Sequence, residues 1–404
     1  MKHKMMVLAV MAAVMAAVMN AMAATDALRR SETARIQGEI DAVSAKGGGR
    51  VVIAKGVHPC GTLYLKSGVE LHLEAGAVLS GSARSEDYDE AIPSREIYQY
   101  AASKKSVTLN KAFIFAENAE NIAITGPGVI DGNGPAFYDH NTVLWERFWA
   151  KPPCSRPRMV VFINCRGIRL EGTTFKDAPL WTMWLRHCED ITVSRVRVEA
   201  EIKMVNSDGI DFDDCRRVRV GDSYFRTGDD AIVLRAIKTG REGGRRAITE
   251  DVVVTNCYLY SACNAIRIGC PSDDTVRNAV FRDLVLEGYN GIASEMPTWY
   301  LNPGCRGSFV SANILFERCR IKTDNQPIRL SVSEGVTPTD FGHMTFRDIS
   351  FESKEPILVW GSAQSPIRDV VFEKVRGKTG FTCPVRSNHV TGLRLDDVSV
   401  AGDR

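Results

Sequence analysis

The sequence predicts an all-β protein, a parallel β-helix of about ten turns with a short N-terminal capping helix. Three observations predict it. An apolar-x-apolar triplet recurs, with another apolar residue about five positions later, and the triplets start at Ile122, Ile168, Ile191, Val218, Val252, Ala279, Ile314, Met344, Val370 and Leu393. Successive starts lie 23 to 46 residues apart, the range of solenoids and propellers, but a propeller blade needs four strands in about 40 residues. Most of these intervals cannot hold one. Finally, alternation has period two, and no helical periodicity follows residue 45. Each turn buries several aliphatic side chains at about 1.5–3 kcal/mol apiece. Such a stack grows by adding turns rather than by enlarging one core.

The chain opens with Lys2, His3 and Lys4, then an apolar run from Met5 to Met19, then Ala21-Met22-Ala23. That basic, apolar, small-residue layout is expected of a secretory signal peptide over residues 1–23. The run stops at Asn20, short of the about 20 apolar residues that span a bilayer. The expectation is an exported protein, periplasmic or extracellular, with no membrane span after signal removal and one β-helix domain over residues 24–404. Ser31 to Ala45 reads as the short amphipathic helix, with Ser31 as its N-cap, and Gly47-Gly48-Gly49 ends it. This helix would plug the exposed end of the solenoid.

Three stretches depart from the short repeat. Asp131 to Met159 is a long insertion carrying Trp145, Phe148 and Trp149, and explains the 46-residue interval. Arg235 to Arg246 is basic, with Lys238, Arg241 and Arg245 between its ends. Ile292 to Gly307 brings Trp299 and Tyr300. Loops on one face of a solenoid form its binding groove, and aromatic insertions suit a pocket closed at one end, hence attack on chain termini.

Composition removes several classes of function. The 51 Lys+Arg against 49 Asp+Glu leave no overall charge to attract nucleic acid. Eleven Cys in an exported chain permit disulfides, but no Cys-x-x-Cys pair occurs and the seven His form no ligand-spaced cluster. No metal and no cofactor are expected, and the protein is expected to be a monomer. Cys165, Cys188 and Cys215 each stand three residues before an aligned apolar position. Stacked turns would meet the separation a disulfide needs; a column of buried thiols is the plainer expectation.

The chemistry concentrates in Asn206 to Asp230. Asp208 and Asp229 are 21 residues apart, about one repeat, so they should occupy neighbouring turns about 4.8 Å apart. Carboxylates so placed raise one another's pKa, and a protonated carboxyl beside an ionised one is what glycosidic cleavage requires. In a regular strand Asp229 and Asp230 would face opposite sides; Gly228 could supply the turn that presents both. The plainer role of an aspartate at a β-helix corner is to hydrogen-bond its own backbone, and Asp211, Asp213 and Asp214 suit that role or the lining of the groove.

Asn206-Ser207-Asp208-Gly209-Ile210-Asp211, followed by Gly228-Asp229-Asp230, resembles the polygalacturonase-type glycoside hydrolases of family 28. Leu71 to Ala77 and Ile124 to Gly132 are also similar to that family. The resemblance implies a right-handed parallel β-helix and inverting, single-displacement hydrolysis. It makes Asp229 the general acid, with Asp208 and Asp230 holding and deprotonating the attacking water. An inverting pair stands about 6.5–9.5 Å apart to admit that water. Two departures stand out. Cys263 occupies the place of the family's His in Gly-His-Gly, and Asn290 to Glu295 lacks its Arg-x-Lys pair.

The expected substrate is therefore a pectin-like or related acidic polysaccharide or oligosaccharide with a neutral sugar, such as rhamnose, at the scissile bond. Asn206, Arg235, Asn264, Arg267 and Trp299 are the expected sugar contacts. Arg267 lies in an apolar strand and needs a partner, either substrate or an internal carboxylate. His187 reads as a satisfied structural histidine. Two other functions fit a β-helix: a polysaccharide lyase, kept open by the basic loop, and a non-catalytic glycan-binding module.

Overall fold

The computed structural model describes residues 2–97, 109–144, 147–151, 154–238, 246–298, 308–381, 383 and 385–402, with the backbone alone for 2–9 and 12–13. It is a right-handed parallel β-helix. The aligned triplets are register partners: Ile122 pairs with Ile168, Ile168 with Ile191, Ile191 with Val218 and Val218 with Val252. Val252 with Ala279, Ala279 with Ile314, Ile314 with Met344 and Met344 with Val370 continue the column. Gly49–Ile53 and Val69–Leu73 stack below it, two turns ahead of the ten triplets. One detail of spacing differs. The core residue after the first triplet is Ile130, partner of Phe175, rather than Val129, because the Gly126-Pro127-Gly128 corner is one residue longer than its neighbour.

The corners explain the polar residues between strands. The residue just before each triplet is left-handed: Asn121, Asp190, Asp251, Asn278, Asn313 and Asp369 all have φ between 48° and 57°. Asn and Asp tolerate that region better than other residues with a side chain. Inside the coil, Phe281, Phe316, Phe346 and Phe372 stack face to face with centroids 4.7, 5.1 and 5.0 Å apart.

The capping helix differs from expectation. It is one helix, Lys2–Ala45, and Ser31 lies within it rather than at its start. The Ala- and Met-rich segment contains neither Gly nor Pro before Gly38, so nothing local interrupts it. Its C-terminal part is the cap: Ile36 and Ile40 are fully buried, and Gln37 both accepts from Tyr64 N at 2.7 Å and donates to Tyr64 O at 3.0 Å. That exchange satisfies part of the first turn's open edge. Among the described residues no helix is long and apolar enough to cross a membrane.

The insertion after Asp131 forms an antiparallel hairpin from Asp139–Leu144 and Phe148–Ala150. Every described cysteine is free. Cys188 sits between Cys165 and Cys215, its thiol held well above the usual range, chiefly by burial.

Candidate functional site

Register brings the acidic residues together, with one change from the 21-residue spacing. Ile210 pairs with Ile232, Ile232 with Ile266 and Ile266 with Ile292. Two residues earlier on each turn stand Asp208, Asp230, Asn264 and Asn290, so Asp208's partner in the column is Asp230. Their backbones confirm the ladder: Gly209 N donates to Asp230 O at 2.9 Å and Ala231 N to Asn264 O at 3.0 Å. Asp229 sits one residue outside the column, in the bend between Tyr224–Thr227 and Ile232–Arg235.

That bend is held from all sides. Gly228 is required there, since a Cβ would stand 2.4 Å from Met204 O and 2.6 Å from Ser207 Oγ. The buried Ser207 hydroxyl accepts from Gly228 N at 3.0 Å and donates to Met204 O at 2.7 Å. Thr227 Oγ1 at 2.5 Å and Ser261 Oγ at 2.7 Å both donate to the Asp229 carbonyl. The Asp229 carboxylate accepts from Asp230 N at 3.0 Å on one oxygen, and from Asn206 N at 3.0 Å and Asn206 Nδ2 at 3.3 Å on the other. Main-chain capping and presentation thus coexist: Asp229 is half-buried, whereas Asp208 and Asp230 are buried.

Burial and neighbouring charge raise three of the acidic groups here. Burial, followed by the charges of Asp229, Asp211 and Asp230, pushes Asp208 well above the usual carboxylate range. Asp208 Oδ1 accepts no hydrogen bond from the described residues. Burial also raises Asp230; Arg267 and the Asn264 amide offset part of this and Asp229 adds to it. Asp211, buried beside Arg235, is pushed up to about 7. Groups coupled this closely titrate as a unit rather than singly.

The expected sugar contacts turn towards these carboxylates. Asn206 holds Asp229. Asn264 donates through Nδ2 to Asp230 Oδ1 at 2.6 Å, and its own oxygen accepts from Asn290, which accepts from Asn325, at 3.0 and 2.9 Å. Arg235 lies 2.8 Å from Asp211 and 3.6 Å from Asp208, with its guanidinium over Trp181. Arg267 takes the internal partner: Glu295 at 2.9 Å, with Asp230 at 3.7 Å. As placed, all four stand within hydrogen-bond or ion-pair distance of these carboxylates. Trp299, Tyr300 and Trp145 lie outside the described residues, as do Arg241 and Arg245 of the basic loop. Arg246 and Lys238 pair with Asp274 at 3.0 and 3.5 Å.

Cys263 does reach the cluster: its Sγ and carboxylate oxygens of Asp229 and Asp230 all lie within 4.8 Å of one another. Burial and those two charges push its thiol well up, so it stands there as a neutral group. A cavity of about 490 Å³ lined by Arg195, Tyr224, Asn256 and Tyr258 contains none of the three aspartates.

Several supporting residues carried no signal in the sequence. Arg156 and Tyr138 come from the long insertion. Arg156 donates to Asn206 Oδ1 at 3.2 Å and to Val205 O at 3.1 Å, and also bonds the Tyr138 hydroxyl. Glu96 accepts from Arg186 at 2.8 Å and faces His187 Nε2 at 3.1 Å, whose Nδ1 meets Asp214 at 2.6 Å. Asp213 binds Arg186 and accepts from Ile237 N at 3.1 Å. These internal bonds fit the structural role expected of His187, and the structural one of the two roles expected of Asp213 and Asp214.

The model of Glycosyl hydrolases family 28 matches residues 95–353. The chain is 23% identical over 341 residues to an endo-polygalacturonase of Pectobacterium parmentieri, covering 82% of this chain and 80% of that protein. Against two plant proteins described as "Probable polygalacturonase", from Arabidopsis thaliana and Vitis vinifera, identity is 29% and 27%, and the match spans only 36% and 49% of those relatives. Among solved structures, an exopolygalacturonase from Thermotoga maritima superposes with a TM-score of 0.68 at 20% identity, covering 87% of this chain and 86% of that one. The family 28 exopolygalacturonase of Yersinia enterocolitica gives 0.71 at 20% identity, covering 90% and 75%. At such identity the structural likeness speaks for the fold.

Proposed function

This chain belongs to glycosyl hydrolases family 28, and on that premise we propose that it hydrolyses a pectin-like glycan by inverting single displacement at Asp208, Asp229 and Asp230. The observation that carries the reading is the cluster itself. Three carboxylates meet across two turns, and two of them, Asp208 and Asp230, are raised first by burial and then by neighbouring carboxylates, Asp229 acting on both. Groups coupled this closely titrate together, so such a cluster can hold a proton beside an ionised carboxylate, the combination that glycosidic cleavage needs.

Asp229 is the half-exposed member and therefore the one a glycosidic oxygen can meet. It gives its proton to the leaving oxygen. Water attacks the anomeric carbon from the opposite side, the bond to the leaving oxygen breaks, and the water's proton passes to the ionised member of the buried pair, Asp208 and Asp230. The thiol of Cys263 is neutral and takes no charge in this scheme.

The sugar at the scissile bond is neutral. Arg235 and Arg267, the arginines beside the cluster, are each engaged by a carboxylate of the protein. A uronate placed there would meet Asp208, Asp229 and Asp230 without a spare cation from either. Uronates farther along the glycan would meet Lys238 and Arg246, which also pair with Asp274 but, unlike the buried Arg235 and Arg267, keep their side chains exposed.

We also propose that residues 1–23 are a signal removed on export and that the mature monomer, residues 24–404, is one catalytic β-helix domain. Support for removal comes from Val10, Met11, Val14, Met15, Val18 and Met19, which leave an apolar face in water.

The test is product analysis on a panel of pectic fragments. The proposal expects plain reducing ends, a first-formed anomer opposite to that of the substrate bond, and release of units from one chain end. Ultraviolet-absorbing unsaturated ends would instead mean a lyase.

A further inference from the structure

The strand after the cluster carries a carboxylate between two arginines. Arg267, Ala293 and Arg329 are register partners on three successive turns, so the two arginines stand two turns apart with only a methyl group between them. Glu295, two residues beyond Ala293, bridges them: Arg267 Nη2 approaches Oε2 at 2.9 Å and Arg329 Nε approaches Oε1 at 2.5 Å. Arg267 also reaches Asp230 at 3.7 Å. The series Asp230, Arg267, Glu295, Arg329 is thus a line of alternating charge leading away from the cluster. Arg329 is its most open member, with about a third of its side chain exposed (36%).

We propose that Glu295 is a specificity-determining residue, which excludes a uronate from the sugar position beside Asp230 by occupying Arg267 and Arg329. This rests on the hydrolase reading above and adds the residue that enforces a neutral sugar. Cations are present at this place in the fold; what keeps them from a substrate carboxylate is that one protein carboxylate already stands within ion-pair distance of both. Guanidinium groups bind carboxylates through paired, directional hydrogen bonds. A uronate would therefore have to displace Glu295, leaving that mostly covered carboxylate, 15% exposed, unpaired.

The experiment compares wild type, Glu295→Gln, and the double variant Glu295→Gln/Arg329→Gln. Two readouts are used: trigalacturonate affinity by calorimetry, and the ratio of hydrolysis rates on uronate and neutral-sugar linkages. Glu295→Gln should bind trigalacturonate at least about 10-fold more tightly, a gain of about 1.4 kcal/mol, and shift the rate ratio the same way. The double variant should lose most of the gain. Glu295→Ala, which vacates the same space, provides a second test should the amide disturb folding. Unchanged trigalacturonate affinity in folded Glu295→Gln and Glu295→Ala overturns the proposal, as does an equal fall on both substrates with no gain in affinity. Because affinity is read without turnover, an inactive wild type would sink the hydrolase reading while leaving this measurement intact.

Discussion

Asn206 grips one oxygen of Asp229 twice, through its backbone N–H at 3.0 Å and its side-chain amide at 3.3 Å. Asn206 adopts a left-handed conformation, φ 63°, and Arg156 from the long insertion holds its other side-chain atom. The insertion is therefore tied to the acid. Arg156→Ala should lower kcat about 10-fold or more while KM changes little, because a misplaced acid loses transition-state stabilisation without loss of substrate binding. Steady-state kinetics on the best substrate check this.

Gly228 is the tightest point of the bend. A methyl group there meets backbone and side-chain oxygens at 2.4 and 2.6 Å, and overpacking of this kind costs about 1–3 kcal/mol. Gly228→Ala should lower the melting temperature and reduce activity by far more than the loss of folded protein accounts for. Calorimetry and a rate assay on the same sample separate the two effects.

Asn264 donates to Asp230 Oδ1 at 2.6 Å, and a donor favours the ionised form. Asn264→Ala removes it, so Asp230, already raised chiefly by burial, should rise further. The acidic limb of the kcat/KM profile should then move to higher pH, by up to about one unit. A limb that stays in place would mean that Asp230 is not the titrating base.

Glu96 offers a stability test away from the chemistry. Burial works against its ionised form, but His187 and Arg186 outweigh burial and bring it from 4.5 to about 2. A carboxyl depressed on folding stabilises fully above its unfolded pKa and loses that contribution as pH falls through the folded value. Glu96→Gln should therefore cost up to about 3 kcal/mol near neutral pH. The gap from wild type should narrow between pH 4.5 and about 2, as denaturant melts at several pH values will show.

The coil was legible because each turn repeats one physical demand. Ile122, Ile168, Ile191 and Val218 are apolar for the same reason, and every such start from Ile122 to Val370 pairs in register. Asp208 and Asp229 were legible as neighbours for the same reason, though a 22-residue turn from Ile210 to Ile232 aligned Asp230 instead. What escaped was everything set by tertiary approach. Arg156 and Tyr138 reach the acid from an insertion with no repeat to align them. Arg329 meets Glu295 only because Arg267, Ala293 and Arg329 share a column, which no local pattern announces. The full extent of the N-terminal helix was missed because Ser31 carries a cap signal that strong helix formers on both sides override.

The most direct test is the rate of reducing-end release by Asp229→Asn, measured beside wild type on whichever pectic fragment wild type cleaves fastest. The amide is close in shape to the carboxyl and lacks the acid proton, but its NH2 replaces one accepting oxygen, so the bond from Asp230 N or those from Asn206 are lost. Removing a general acid costs about 10²–10⁴-fold, so the variant should stay folded with a modestly lowered melting temperature while its rate falls by that factor. A correctly folded Asp229→Asn that cleaves as fast as wild type would contradict the account.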